Sequence, residues 1–257
     1  MHRLPGRRPC SHCHTPAVPF SALDLALAFA IVLFAAVVQS TVGMGFNIVA
    51  VPLTLLLDSR FAPVPMIVVG LALTIPVVLR ELDHVDWKGI LWILLGRPPG
   101  VGVGLVLLAV ASGDALNVII GVAVLIAVIA MAFSPEIKRN RTVEFGSGVL
   151  SGALSTVSAI GGPPVGLLYK DENGPTIRAT LGTVFTIGAT ITLIGRGLAG
   201  RIETTDWQIA LFYLPAVLIG FGLSYRLNRR FVDARYRTPI LVLSAGAAIA
   251  LLIKSLI

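Results

Sequence analysis

From Leu25 to Leu57 the chain runs 33 residues without a charge, and no other feature so narrows what it can fold into. A helix needs about 20 mostly apolar residues to cross the hydrocarbon of a bilayer. Phe61–Leu79, Ala115–Pro135, Phe145–Tyr169, Ala179–Gly195, Trp207–Tyr225 and Thr238–Ile253 are also uncharged, and Gly89–Gly113 is interrupted only by Arg97. Together these eight windows occupy most of the 257 residues and leave no room for a soluble domain. Only 13% of residues are charged, against about a quarter in soluble domains. The expected fold class is an all-α integral membrane protein with about eight transmembrane segments and the lipid bilayer as its main partner.

The formal net charge of +7 invites a nucleic-acid reading, which the distribution of charge argues against. Nucleic-acid binders gather Lys and Arg on an exposed face. Here the basic residues lie in short loops between apolar runs, where cytoplasmic loops of membrane proteins collect them. No nucleic acid is expected as a partner.

Two windows have the wrong length and carry internal breaks. Leu25–Leu57 contains Gly43-Met44-Gly45-Phe46-Asn47 with Pro52 beyond, and Phe145–Tyr169 contains Gly161-Gly162-Pro163-Pro164. Glycine permits unusual backbone angles, while proline removes a donor and clashes with the preceding turn. Such backbone survives at membrane depth only where protein or a watery cavity covers it.

The breaks belong to an internal repeat. Ser40-Thr41-Val42 precedes one and Ser155-Thr156-Val157 the other, an offset of 115. Asp86-Trp87 with Gly100 and Gly102 matches Asp206-Trp207 with Gly220 and Gly222 at an offset of 120, and Asp114-Ala115 matches Asp233-Ala234 at 119. This predicts a tail over 1–21, a first transmembrane repeat over 22–133, a basic loop over 134–144 and a second repeat over 145–257. If each broken segment crosses once, the repeats are parallel; if each re-enters as a hairpin, they are inverted. The hairpin count puts both basic loops, Ser134–Glu144 and Ser224–Arg237, in the cytoplasm, although it leaves Arg3, Arg7 and Arg8 outside. The positive-inside tendency therefore favours inverted repeats.

At the two breaks the sequence resembles the sulfite exporter TauE/SafE family of small bacterial membrane transporters. Gly43, Gly45, Val51 and Pro52 fit that family's first glycine break with its following Val-Pro. Gly161, Gly162, Pro163, Pro164 and Tyr169 fit the second, with Arg178-Ala179-Thr180 after it. Phe46 and Asn47 stand where many members have further glycines. The resemblance covers the chain from about residue 22 to the end. It implies ATP-independent movement of a small anion, a sulfur oxyanion or an organosulfonate, across the cell membrane (the inner membrane in a Gram-negative source).

The residues themselves point the same way. Interrupted helices at matching places in two halves mark a transporter's binding site. A helix that starts after a break aims free N–H groups and a partial positive charge at what lies before it; two such starts are expected near Ile48 and Val165. Arg97 lies ten residues after Trp87, roughly 15 Å along a helix and so near mid-bilayer. There it either faces an anion or, if Pro98 and Pro99 bend the segment, snorkels to the surface or caps backbone carbonyls. The candidate substrate-binding set is Gly43, Gly45, Asn47, Arg97, Ser155, Thr156, Gly161, Gly162 and Pro163. Gln39, Ser40, Thr41 and Ser158 also lie beside the breaks, and Thr180, Thr183, Thr186 and Thr190 form a stripe that either lines a path or bonds back to its own helix.

No catalytic residue, metal or cofactor is expected, and association into a homo-oligomer is left open. None of the four lysines follows a glycine, so there is no phosphate-binding P-loop, and neither G-x-S-x-G nor H-E-x-x-H occurs. Cys10-Ser11-His12-Cys13-His14 matches the C-x-x-C-H of haem attachment, but the short tail has no domain to bury a haem. The alternatives to a secondary transporter are a passive anion channel on the same scaffold and a membrane sensor or redox anchor that uses this tail.

Overall fold

The computed structural model describes residues 20–42, 45–111, 114–133, 137–227 and 237–256. Gly43 and the Cys/His tail lie outside them. Among the described residues there is no strand. The chain forms α1 (Ala22–Val42), α2 (Phe46–Leu57), α3 (Val64–Glu81), α4 (Trp87–Val110), α5 (Asp114–Phe133), α6 (Arg141–Ser158), α7 (Gly162–Leu168), α8 (Gly174–Leu198), α9 (Thr204–Leu227) and α10 (Arg237–Leu256).

Six described stretches are long and apolar enough to cross a membrane: Ala22–Thr41, Ser59–His84, Trp87–Val110, Ala115–Phe133, Gly174–Leu198 and Thr204–Ser224. The expected eight windows do not all become such helices. The first splits into α1 and α2, and the window containing Gly161 splits into α6 and α7. The serines and glycines of α6 make it less apolar than its neighbours because one face packs closely on another helix. Large apolar side chains such as Leu91, Leu95, Val106, Leu211 and Leu218 face outward, as suits lipid rather than water.

Short polar residues set several helix starts by accepting first-turn N–H groups, the usual N-cap role. Asp86 caps α4 through Gly89 (3.0 Å), Asn140 caps α6 through Val143 (2.9 Å) and Asn173 caps α8 through Thr176 (3.0 Å). The two prolines in α4 do not break it; the helix runs continuously through Pro98 and Pro99.

Contacts at the helix ends fix the path of the chain. Phe20, just before α1, stacks on Phe61, just after α2, at 5.0 Å. The α1–α2 segment thus begins and finishes at one end of the bundle. The last turn of α10 is there too, with Lys254 Nζ donating to the Leu56 carbonyl at 2.9 Å. From this end α3 runs about 27 Å, the length of its 18 residues, to the opposite end. There Glu81 accepts a two-pronged hydrogen bond from Arg178 at the start of α8 (2.9–3.1 Å). Arg139, just before α6, reaches Tyr169, just after α7, at 3.0 Å, so the α6–α7 segment begins and finishes at this opposite end.

The closest packing joins α4 and α6 side by side in the same direction. A methyl group on Gly148, Gly96 or Gly100 would collide with the backbone carbonyl of Ile93, Phe145 or Val149 respectively. Small residues at such an interface let two backbones approach, which drives helix association where hydrophobic burial cannot. Helices α1 and α9 pair in the same sense, with Phe29 against Phe212 (5.7 Å) and Gly220 against Leu33 and Ala36. By contrast α3 and α8 run antiparallel, since Glu81 meets Arg178 and Thr74 meets Thr186 (3.0 Å).

Candidate functional site

Where the two interruptions meet, they line a cavity of about 60 Å³, enough for a few waters or one small oxyanion. It lies between the end of α1, the start of α2, the middle of α3, Arg97 of α4 and the α6–α7 link, with Phe185 and Ala189 of α8 closing one side. Gly45, with φ of +117°, turns the chain from α1 into α2, a conformation that a side chain would strain. Across from it Ala159 sits at φ +60°, an uncommon setting for a residue with a side chain. Asn47 ties the two breaks together: its Nδ2 donates to the Ala159 carbonyl at 2.7 Å, leaving its buried Oδ1 without a hydrogen-bond partner.

Arg97 is 1% exposed, so it does not snorkel outward. Its Nη2 donates to Ser151 Oγ at 2.9 Å, and that hydroxyl donates in turn to the Gly161 carbonyl. The guanidinium lies flat against Gly188 of α8, where a methyl group would overlap it. Its buried Nε has no hydrogen-bond partner, and no acidic side chain pairs with it among the described residues. A buried unpaired cation is costly, which makes an anion the natural complement.

Of the expected site residues, Gly45, Asn47, Arg97, Ser155, Gly161 and Gly162 line this cavity together. Thr156 and Pro163 are not among its lining residues. The Thr156 hydroxyl bonds back to the Gly152 carbonyl at 2.8 Å while its side chain packs by Gly104, and Pro163 is buried in the first turn of α7. The expected pair of N–H cradles is also unequal. Pro163 and Pro164 have no N–H to offer, and the Phe46 N–H of α2 is already taken by Gln39 Oε1 at 3.1 Å. Asn47 and Ile48, next in the first turn of α2, line the cavity without an acceptor in their own helix.

The threonine stripe is occupied elsewhere. Thr183 and Thr190 bond back to their own helix, Thr186 meets Thr74, and Thr180 accepts the Asp86 N–H at 3.1 Å. Sequence reasoning passed over Ser151, Thr74 and Phe185. Ser147, Ser151 and Ser155 recur every four residues on one face of α6, a signal that could have drawn attention to Ser151. Arg196 was also missed, because it follows directly on an uncharged window. It is 4% exposed, and its Nε donates to the Thr156 carbonyl at 2.9 Å, where a cation suits the negative end of α6.

A polar cluster closes the end of the bundle below α7. Arg139 Nη2 bonds Asp86 Oδ2 at 2.6 Å and Tyr169 Oη at 3.0 Å, Glu144 and Glu172 each lie 3.4 Å from the guanidinium, and the Tyr169 ring stacks beneath it. Burial alone would raise the Asp86 carboxyl pKa, but the hydrogen bonds from Arg139 and the Gly89 N–H outweigh it and hold the group below its ordinary value. Burial pushes the Tyr169 hydroxyl up, so it stays protonated and donates to Asp86 at 3.2 Å.

The sequence pattern of the family described as "Sulfite exporter TauE/SafE" matches residues 28–251, nearly the whole chain. The chain belongs to the TauE/SafE family. Among curated TauE/SafE-like proteins, the probable sulfite/organosulfonate exporter TauE of Cupriavidus necator is 27% identical over 184 residues, which covers 68% of this chain and 72% of that protein. No solved structure matches. With its six span-length apolar helices, this TauE/SafE member is a multi-pass membrane protein of an exporter family.

Proposed function

We propose that the chain is a secondary transporter of the cell membrane that exports a small anion, a sulfur oxyanion or organosulfonate, through the cavity between its two breaks. The observation that carries this reading is Arg97: fully buried, held by Ser151 and lining the cavity with its Nε unpartnered. The anion would neutralise a charge that no acidic side chain among the described residues compensates, and Asn47, Ser155 and the first-turn N–H groups of α2 would orient it. The name of the Cupriavidus relative supports the substrate class.

We further propose that the halves are inverted repeats with α1–α2 and α6–α7 as re-entrant hairpins. Each hairpin has its two ends together, and the ends of the two hairpins lie at opposite sides of the bundle. Exchanging each helix of α1–α5 for its counterpart in α6–α10 turns the α1–α9 packing into α6–α4 and leaves α3–α8 and α5–α10 unchanged. Any two-fold axis has this effect, and the hairpin ends at opposite sides favour one in the membrane plane, as in other transporters with inverted repeats. Alternate exposure of the cavity by one half rocking on the other then needs no ATP.

Flux of radiolabelled sulfite, sulfate and a small sulfonate into proteoliposomes tests the function. Saturable flux in the wild type, reduced at least about 100-fold in a folded Arg97→Ala protein, is the expected result, because removing one partner of a buried charge pair costs several kcal/mol. Flux unchanged in Arg97→Ala would rule this anion site out. Flux that fails to saturate would favour the passive channel.

A further inference from the structure

Two residues that line the cavity each keep a buried polar atom without a partner, one a donor and one an acceptor, and a bare anion can satisfy only the donor. Arg97 Nε carries a hydrogen with no partner, and Asn47 Oδ1 is a buried acceptor with none. The amide orientation of Asn47 is not arbitrary: Nδ2 must face the Ala159 carbonyl at 2.7 Å, so Oδ1 is the atom left over. Both residues line the same cavity. A fully deprotonated anion would bring only acceptors, leaving Asn47 Oδ1 unsatisfied or facing like partial charge, and either is costly in a buried site.

Charge leads to the same conclusion. Arg97 is the only ionisable side chain among the described residues that line the cavity. Charged groups on the surrounding helices, including Asp24, Arg80, Glu81, Lys88, Glu144 and Arg178, do not line it, and Arg196 is engaged on the Thr156 carbonyl. One guanidinium balances one negative charge. A dianion would keep a net charge of about −1 in a low-dielectric interior, a large penalty.

From this pairing we infer that the site, read as the anion site proposed above, selects a singly charged oxyanion that still carries a polar hydrogen, with its oxygens on Arg97 and its O–H donated to Asn47 Oδ1. The transported ion brings its own proton. It takes the proton up from water on one side and releases it to water on the other, with no bond broken in the protein. Export would therefore remove one proton with each ion and move one negative charge, although among the described residues no carboxylate lines the cavity to relay a proton.

The test compares sulfite, which exchanges its last proton near neutral pH, with methanesulfonate, which has the same single charge and three oxygens on sulfur but no O–H to donate. Sulfate serves as the dianion. Uptake into proteoliposomes containing the full chain is measured above protein-free vesicles, with a pH dye in the lumen. At fixed total sulfite, flux is expected to fall about tenfold or more between pH 6 and pH 8.5, following the protonated fraction. Lumenal acidification should accompany sulfite alone, and methanesulfonate should compete at least about tenfold more weakly than sulfite at pH 6. In Asn47→Leu the methanesulfonate-to-sulfite ratio should approach one; if that variant fails to fold, the wild-type pH profile and ratio decide alone. Sulfite flux that stays flat or rises with pH, or methanesulfonate carried as fast as sulfite, would overturn the inference and leave the anion transporter standing. Absence of flux for all three anions would remove both.

Discussion

Gly188 has no side chain, yet it decides where a buried charge sits. The Arg97 guanidinium occupies the space a β-carbon would fill, so Gly188→Ala must shift it from its present place. We expect Gly188→Ala to lower anion flux at least about tenfold, a loss worth roughly 1.4 kcal/mol, while Gly102→Ala, which points a methyl into open space, leaves flux unchanged. Flux assays on the two purified proteins would check this, and equal flux would mean the guanidinium has other room. Gly45 is a conformational case. Its φ of +117° makes Gly45→Ala costly by about 1–2 kcal/mol, to be read as a lowered unfolding temperature in detergent. That Arg97 and Asn47 line the cavity was legible in the sequence because a charge or an amide inside an apolar window needs explaining. Thr156 fits the same rule and still turns away, since a threonine can satisfy its hydroxyl on its own helix.

Among the elements, the α4–α6 pair is the tightest joint. Gly100→Ala or Gly148→Ala would place a methyl on a backbone carbonyl, which cannot move as a flexible side chain can. Each should cost about 1–3 kcal/mol or more, against almost nothing for Gly222→Ala at an open position, in thermal or denaturant unfolding. The Arg139 cluster staples the far end of this pair to α7. Because the Asp86 pKa is lowered on folding, its contribution is fully present above the ordinary carboxylate value of 3.8 and is lost as pH falls through the lower folded value. Unfolding temperature should therefore stay level from neutral pH to about pH 5 and drop below about pH 4, and Asp86→Asn should remove part of that acid step. The acidic and basic residues of this cluster are visible in the sequence, but as ordinary loop charges. Their meeting depends on α7 turning back, which no local pattern states.

For the whole molecule, the proposed inverted arrangement makes a sidedness prediction. With Cys10 and Cys13 replaced, cysteines introduced at the exposed positions Ser21 and Ser59 should react with an impermeant thiol reagent from one side of the membrane, and those at Lys138 and Asp171 from the other. Labelling of all four from one side would rule out the inverted halves. The sequence by itself determined the solvent of this chain, its two breaks and the one charge inside an apolar window, because bilayer solvation acts on each segment locally and leaves its mark in composition. Only the tertiary structure decided that the two breaks face each other, that Ser151 carries Arg97 and that Asn47 spends its donor on Ala159 while keeping its acceptor. Those contacts join residues 54 and 112 positions apart, and hydropathy, which records depth in the membrane, holds no record of which helix faces which.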